Sequence, residues 1–78
     1  MTEQPTHRLD ISGEVCPMTF VRTRLLLERM QPGEIAEIIL REGEPLENVP
    51  RAVQDLGFRV LLIAPADRAG LHRLLVQV

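Results

Sequence analysis

The sequence has one cysteine and no lysine, tryptophan or tyrosine. A single thiol excludes a disulfide framework, and Thr19 stands where the resolving cysteine of a Cys-x-x-Cys oxidoreductase would be. His7 and His72 are isolated, so neither a metal cluster nor a bound cofactor is expected. Two Phe are the only aromatics, which leaves little for base stacking. All nine basic residues are arginines scattered along the chain, and the formal net charge is -2. That balance argues against direct contact with nucleic acid, which wants a clustered basic face. Guanidinium forks suit carboxylates on a partner protein instead. The longest strongly apolar run, 60–64, is too short to cross a bilayer. Residues 1–6 are polar and lack the basic start and apolar stretch of a secretory signal. The expectation is a cytoplasmic protein without membrane contact, in a compartment where a lone thiol stays reduced.

What remains is aliphatic. With 78 residues, 45% of them hydrophobic, the chain reads as one domain stabilised by packed aliphatic side chains. Residues 1–7 read as a flexible tail and 8–78 as the domain. A short strand is expected at 8–11, broken by Ser12-Gly13-Glu14, where Gly13 is free to take a positive φ. Residues 17–30 carry a helical pattern with Pro17 at the first position. Phe20, Thr23, Leu26, Leu27 and Met30 form its core-facing arc. Met18, Val21 and Leu25 form a second arc, flanked by Arg22 and Arg29. Arg24 and Glu28 are spaced for a salt link on the helix surface. Gln31-Pro32-Gly33 ends the helix.

A second strand is expected at 34–41, then a polar connection at 42–48. A shorter helix follows at 50–56, with Asn48 as cap and Gly57 as stop. Strands at 58–64 and 71–78 read as a hairpin. The order β-α-β-α-β-β predicts a two-layer α/β sandwich: a four-stranded mixed sheet with both helices on one face. The other face would be open, with Leu61, Ile63, and Leu71 or Leu74 among its apolar residues. Such a face leaves room for a weak homodimer.

The chemistry concentrates at Gly13-Glu14-Val15-Cys16-Pro17. This places a thiol between a strand exit and a helix entrance. The first N–H groups of a helix have no internal partner and the macrodipole is positive there, so a thiolate is favoured. Asp10 and Glu14 oppose that shift unless they point away. The bland alternative is a buried cysteine acting as a small apolar filler. A Cys–His pair is disfavoured, because His7 and Cys16 flank opposite ends of the first strand. His72 reads as an exposed strand residue. A thiol with neither base nor resolving partner suits a carrier.

Leu9-Asp10, Gly13, Cys16-Pro17, the arginine-bearing helix and Met30-Gln31-Pro32-Gly33-Glu34, followed by Val49-Pro50 and Leu56-Gly57, resemble the TusA/SirA-like sulfur-carrier family. The resemblance covers 9–78. It implies the same sandwich, with Cys16 as the catalytic residue that receives sulfane sulfur as a covalent persulfide. The donor would be a cysteine desulfurase or rhodanese, and the acceptor a sulfur-relay protein or enzyme. The recipient process would be tRNA thiolation, cofactor synthesis or sulfur oxidation. Gly13, Pro17, Met18, Thr19, Val21, Arg22 and Leu25 are the expected partner-binding residues. The family's Cys-Pro-x-Pro reads Cys16-Pro17-Met18-Thr19 here, a departure beside the thiol itself. A non-catalytic regulatory or protein-interaction module of the same fold is the competing expectation.

Overall fold

The computed structural model describes residues 5–15 and 18–78. Six elements follow in the expected order: β1 (His7–Asp10), α1 (Met18–Arg29), β2 (Ile35–Arg41), α2 (Glu44–Asp55), β3 (Arg59–Pro65) and β4 (Leu71–Gln77). They form one sheet of order β1-β2-β4-β3. β1 is parallel to β2, while β4 runs antiparallel to both β2 and β3. The parallel pair requires a crossover, which α1 supplies; the last two strands need only a hairpin.

Alternation along the strands fixes the faces. Ala36, Ile38 and Leu40 of β2 and Leu74 and Val76 of β4 are fully buried. They pack with Leu27 of α1, Val49 and Val53 of α2, and Ile11. Both helices therefore lie on one face. α1 turns Thr19, Thr23 and Leu27 inward. Its inner arc is shifted from the sequence expectation. Thr19 enters it, whereas Phe20 and Leu26 are half-buried. A core-facing threonine is tolerated because the Thr23 hydroxyl donates to the Thr19 carbonyl at 2.8 Å.

α2 corrects the expected connection at 42–48. The helix begins at Glu44, with Gly43 as N-cap at φ 102° and Pro45 within its first turn. Glu44 and Glu47 complement the positive end of the dipole. Asn48 is consequently inside the helix and not its cap, and Pro50 is interior and buried. Gly57 does terminate the helix, at φ 94°.

The helix-free face also differs from expectation. A bulge between Val60 and Leu62 shifts the alternation of β3. Ile63 thus pairs with Leu74 on the helix-bearing side, and Leu62 pairs with Leu75 on the other. Leu74 belongs to the core. Ile35, Ile39, Leu71 and Leu75, on the helix-free face, are nonetheless buried. Arg8 and Arg73 reach across this face to Glu37, at 3.1 and 2.8 Å. Exposed leucine and isoleucine on the sheet are confined to Leu62 and Ile63 of the edge strand β3.

Candidate functional site

Cys16 and Pro17 lie outside the described residues, so the site is built from what flanks them. The Ile11 N–H donates to the Ile39 carbonyl at 3.0 Å, carrying the β1–β2 pairing past the end of β1. The Glu14 N–H then donates to the Ile11 carbonyl at 3.1 Å, closing a tight turn. On the far side, the Met18 N–H donates to the Val15 carbonyl at 2.8 Å. The two flanks of the thiol-bearing segment are therefore held together, at the N-terminal end of α1. The turn does not use a left-handed glycine: positive φ occurs at Gly33, Gly43, Gly57 and Gly70, and Gly13 is not among them.

Both carboxylates near Cys16 in sequence are engaged. The Asp10 carboxylate accepts the Ser12 N–H at 2.9 Å and the Ser12 hydroxyl at 2.6 Å. These bonds hold the Asp10 carboxyl below its usual value, with the Arg68 and Arg8 guanidiniums adding to the effect against a small opposing contribution from burial. Glu14 accepts from Arg22, one turn into α1, at 3.1 Å. The negative charge that would oppose a thiolate is thus partly offset by an arginine absent from the local sequence around Cys16.

The histidines are elsewhere. His7 begins β1 and meets Glu34 at 3.2 Å, at the opposite end of the strand from the turn. Glu34 also accepts the Gln31 N–H at 2.7 Å; first that bond and then His7 hold its carboxyl below the usual range. This gives a structural role to the Gln31–Glu34 segment singled out in the sequence. His72 is not the exposed strand residue expected. It is half-buried, its Nδ1 has no partner among the described residues, and it pairs with Leu40 on the core side of β4.

Of the expected partner-binding residues, Met18, Val21 and Leu25 are 42%, 37% and 54% exposed. They follow Val15, which is 75% exposed, along one side of α1. Arg22 lies beside them, and the Arg24–Glu28 link forms at 3.1 Å. Thr19 does not join this surface: it is 1% exposed, because its helical position faces the sheet. Two arginines that sequence reasoning passed over, Arg41 and Arg68, line a cavity with Ser12 and Gly13. Only the tertiary pairing of β2, β4 and the β1–α1 turn brings them together. Among the described residues no group of three His, Cys, Asp or Glu side chains could hold a metal, and no helix is long and apolar enough to cross a membrane.

A small β-α-β-α-β-β sandwich with a lone cysteine preceding its first helix defines a narrow class, and comparison with known proteins identifies it. Residues 7–78 match the family described as Sulfurtransferase TusA, and the chain belongs to that family. A relative from Archaeoglobus fulgidus is 47% identical over 55 residues, 70% of this chain and 62% of its own length. One from Thermotoga maritima is 43% identical over 60 residues, 77% of this chain and 76% of its own. Both carry the name "Putative sulfur carrier protein". The crystal structure of a SirA-like protein from Desulfitobacterium hafniense superposes with a TM-score of 0.76, covering 94% of this chain and 97% of that one, at 18% identity. That likeness shows the shared fold. Together the family and its named members support a sulfur-carrier role.

Proposed function

We propose that the chain relays sulfane sulfur on Cys16. The Cys16 thiolate attacks the outer sulfur of a donor persulfide. The donor S–S bond breaks, the donor thiolate leaves, and Cys16 holds a persulfide. An acceptor thiolate then attacks that outer sulfur, and Cys16 departs as thiolate. No net oxidation occurs in either transfer. A cysteine desulfurase or rhodanese fits the donor role, and a relay protein or enzyme the acceptor role.

The observation that carries this reading is the exposed apolar strip Val15, Met18, Val21 and Leu25, which runs from the thiol segment along α1. A partner must cover the thiol to exchange sulfur with it. Covering this strip removes apolar surface from water, the main driving force of association. Arg22 adds a donor at its margin. The Arg22 guanidinium offsets the charge of Glu14, one of the two nearby carboxylates that oppose a thiolate at position 16.

Intact mass under non-reducing conditions tests it, after incubation with a cysteine desulfurase and cysteine, or with a rhodanese and thiosulfate. The expected result is a gain of one sulfur atom, removed by reductant and absent from Cys16→Ser. No gain with either donor, while Cys16 alkylates freely, would replace the carrier by the interaction-module reading. That module would keep its activity in Cys16→Ser and lose it on changing Met18, Arg22 or Leu25.

A further inference from the structure

Three pieces of chain meet where β1 and β2 end, and a cavity of about 300 Å³ lies among them. Its walls are Ser12 and Gly13, Arg41 at the end of β2, and Arg68, Ala69 and Leu71 from the β3–β4 hairpin. Each wall is pinned. Asp10 holds Ser12 through the two bonds described above. The Glu42 N–H donates to the Gly70 carbonyl at 2.9 Å, tying β2 to the hairpin. The Ala66 N–H to Leu71 carbonyl bond at 2.9 Å, and the Leu71 N–H to Arg68 carbonyl bond at 3.2 Å, close the hairpin itself. In the β2–β4 register Arg41 stands opposite Leu71.

Two arginines line this one cavity. Arg8, Arg22, Arg24 and Arg73 pair with carboxylates; Arg41 and Arg68, like Arg29, Arg51 and Arg59, form no ion pair among the described residues. Asp10 and Asp67 line the adjoining cavity, which shares Arg68 and Leu71. Asp10, which accepts from Ser12, remains a carboxylate on which Arg68 acts at longer range. Like charges facing one cavity repel, and an anion between them turns that repulsion into two charge-assisted hydrogen bonds.

Gly13 adds an independent observation. Its φ is not positive, and a Cβ built there would meet nothing within 4 Å among the described residues. Neither backbone conformation nor packing among the described residues requires glycine at this position. The missing side chain instead leaves the cavity lip open, with a Gly13 N–H that has no partner among the described residues.

We propose that this cleft is an oxyanion-binding site, taking a carboxylate or a tetrahedral oxyanion on Arg41 and Arg68 with the Gly13 N–H as a third donor. Free small anions and acidic side chains of a protein share this chemistry. The test is amide and arginine Nε–H NMR on the full chain, titrated at constant ionic strength with sodium sulfate, with sodium acetate, or with a tetra-glutamate peptide blocked at both ends. Saturable shifts are expected at 12, 13, 41 and 68–71. Arg41→Gln or Arg68→Gln should weaken binding about tenfold or more, while Arg51→Gln leaves it unchanged. Saturation by the peptide at lower carboxylate concentration than acetate assigns the site to protein carboxylates. Saturation by sulfate or acetate without that preference assigns it to small anions. Shifts that stay linear with every probe, or that survive the double Arg41→Gln, Arg68→Gln variant, overturn the site. Cys16→Ser should bind as the parent does, so this result stands apart from the outcome for sulfur loading.

Discussion

Leu25 offers the sharpest test of where a sulfur donor docks. It is 54% exposed on α1, so slightly more than half of its side chain remains to be covered by a partner. Full burial of a leucine stabilises by about 1.5–3 kcal/mol, and covering the remaining half contributes about 1–1.5 kcal/mol. That is roughly a tenfold change in affinity. With a cysteine desulfurase turning over and the carrier as varied substrate, Leu25→Ala should raise the apparent KM five- to tenfold, by about this reasoning. The rate at saturating carrier should stay nearly unchanged, because the chemistry at Cys16 is untouched. Stability should also hold to within about 0.5 kcal/mol, since the site is on the surface and alanine is a better helix former than leucine. Leu56→Ala is the matched control: it is 39% exposed, but sits at the C-terminal end of α2. An unchanged KM for Leu25→Ala, or an equal rise for Leu56→Ala, would refute the placement of the docking strip.

Glu37 is 13% exposed and bridges Arg8 and Arg73, whose side chains are 73% and 39% exposed. Discounted for that exposure, Glu37→Gln should cost about 1 kcal/mol, a fall in Tm of roughly 4–8 °C that narrows in high salt; an unchanged melt would mean the network contributes nothing. Gly57→Ala should cost about 1–2 kcal/mol because φ is 94° there, while Gly13→Ala should melt within about 0.5 kcal/mol of the parent. Asp10 titrates lower folded than unfolded, so its contribution is present above the ordinary carboxylate value and fades as pH falls through the lowered one. Carboxyl NMR should show this below about pH 4, and Ser12→Ala should move the Asp10 titration back up; no movement would remove Ser12 as the cause.

The fold was legible where local signals agreed with the tertiary outcome. The turn signals at Gly33 and Gly57, both of positive φ, closed α1 and α2 where expected. Alternation in β2 separated Ala36, Ile38 and Leu40 from the opposite face. The misreadings came from residues that permit two structures. Pro50 reads as a helix start because a first-turn proline lacks only an N–H that would be unpaired there. The same argument applies to Pro45, and Glu44 and Glu47 favour the earlier start through the dipole. Tertiary packing decides between them, burying Val49 and Pro50 together. The bulge in β3 has no sequence signature in its run of aliphatic residues, so the facing of Leu61 to Ile63 depended on a register that only pairing with β4 fixes.

The site divides along the same line. A lone thiol before a helix is a local pattern visible in the sequence; the electrostatics of the residues that flank it are not. Glu14 stands two residues from Cys16 and looks adverse, yet Arg22 reaches it across the turn. Arg41 and Arg68 converge through a strand register that no local pattern encodes. Thr19 is the most instructive position. In sequence it replaces a proline of the resembling family beside the thiol and invites a reading as partner contact. In the fold its side chain is buried and its carbonyl accepts the Thr23 hydroxyl. A residue so placed meets a partner only if the first turn of α1 opens. An effect of Thr19 on partner binding would therefore run through the packing of that turn, and so through how firmly Met18 is held on the exposed strip.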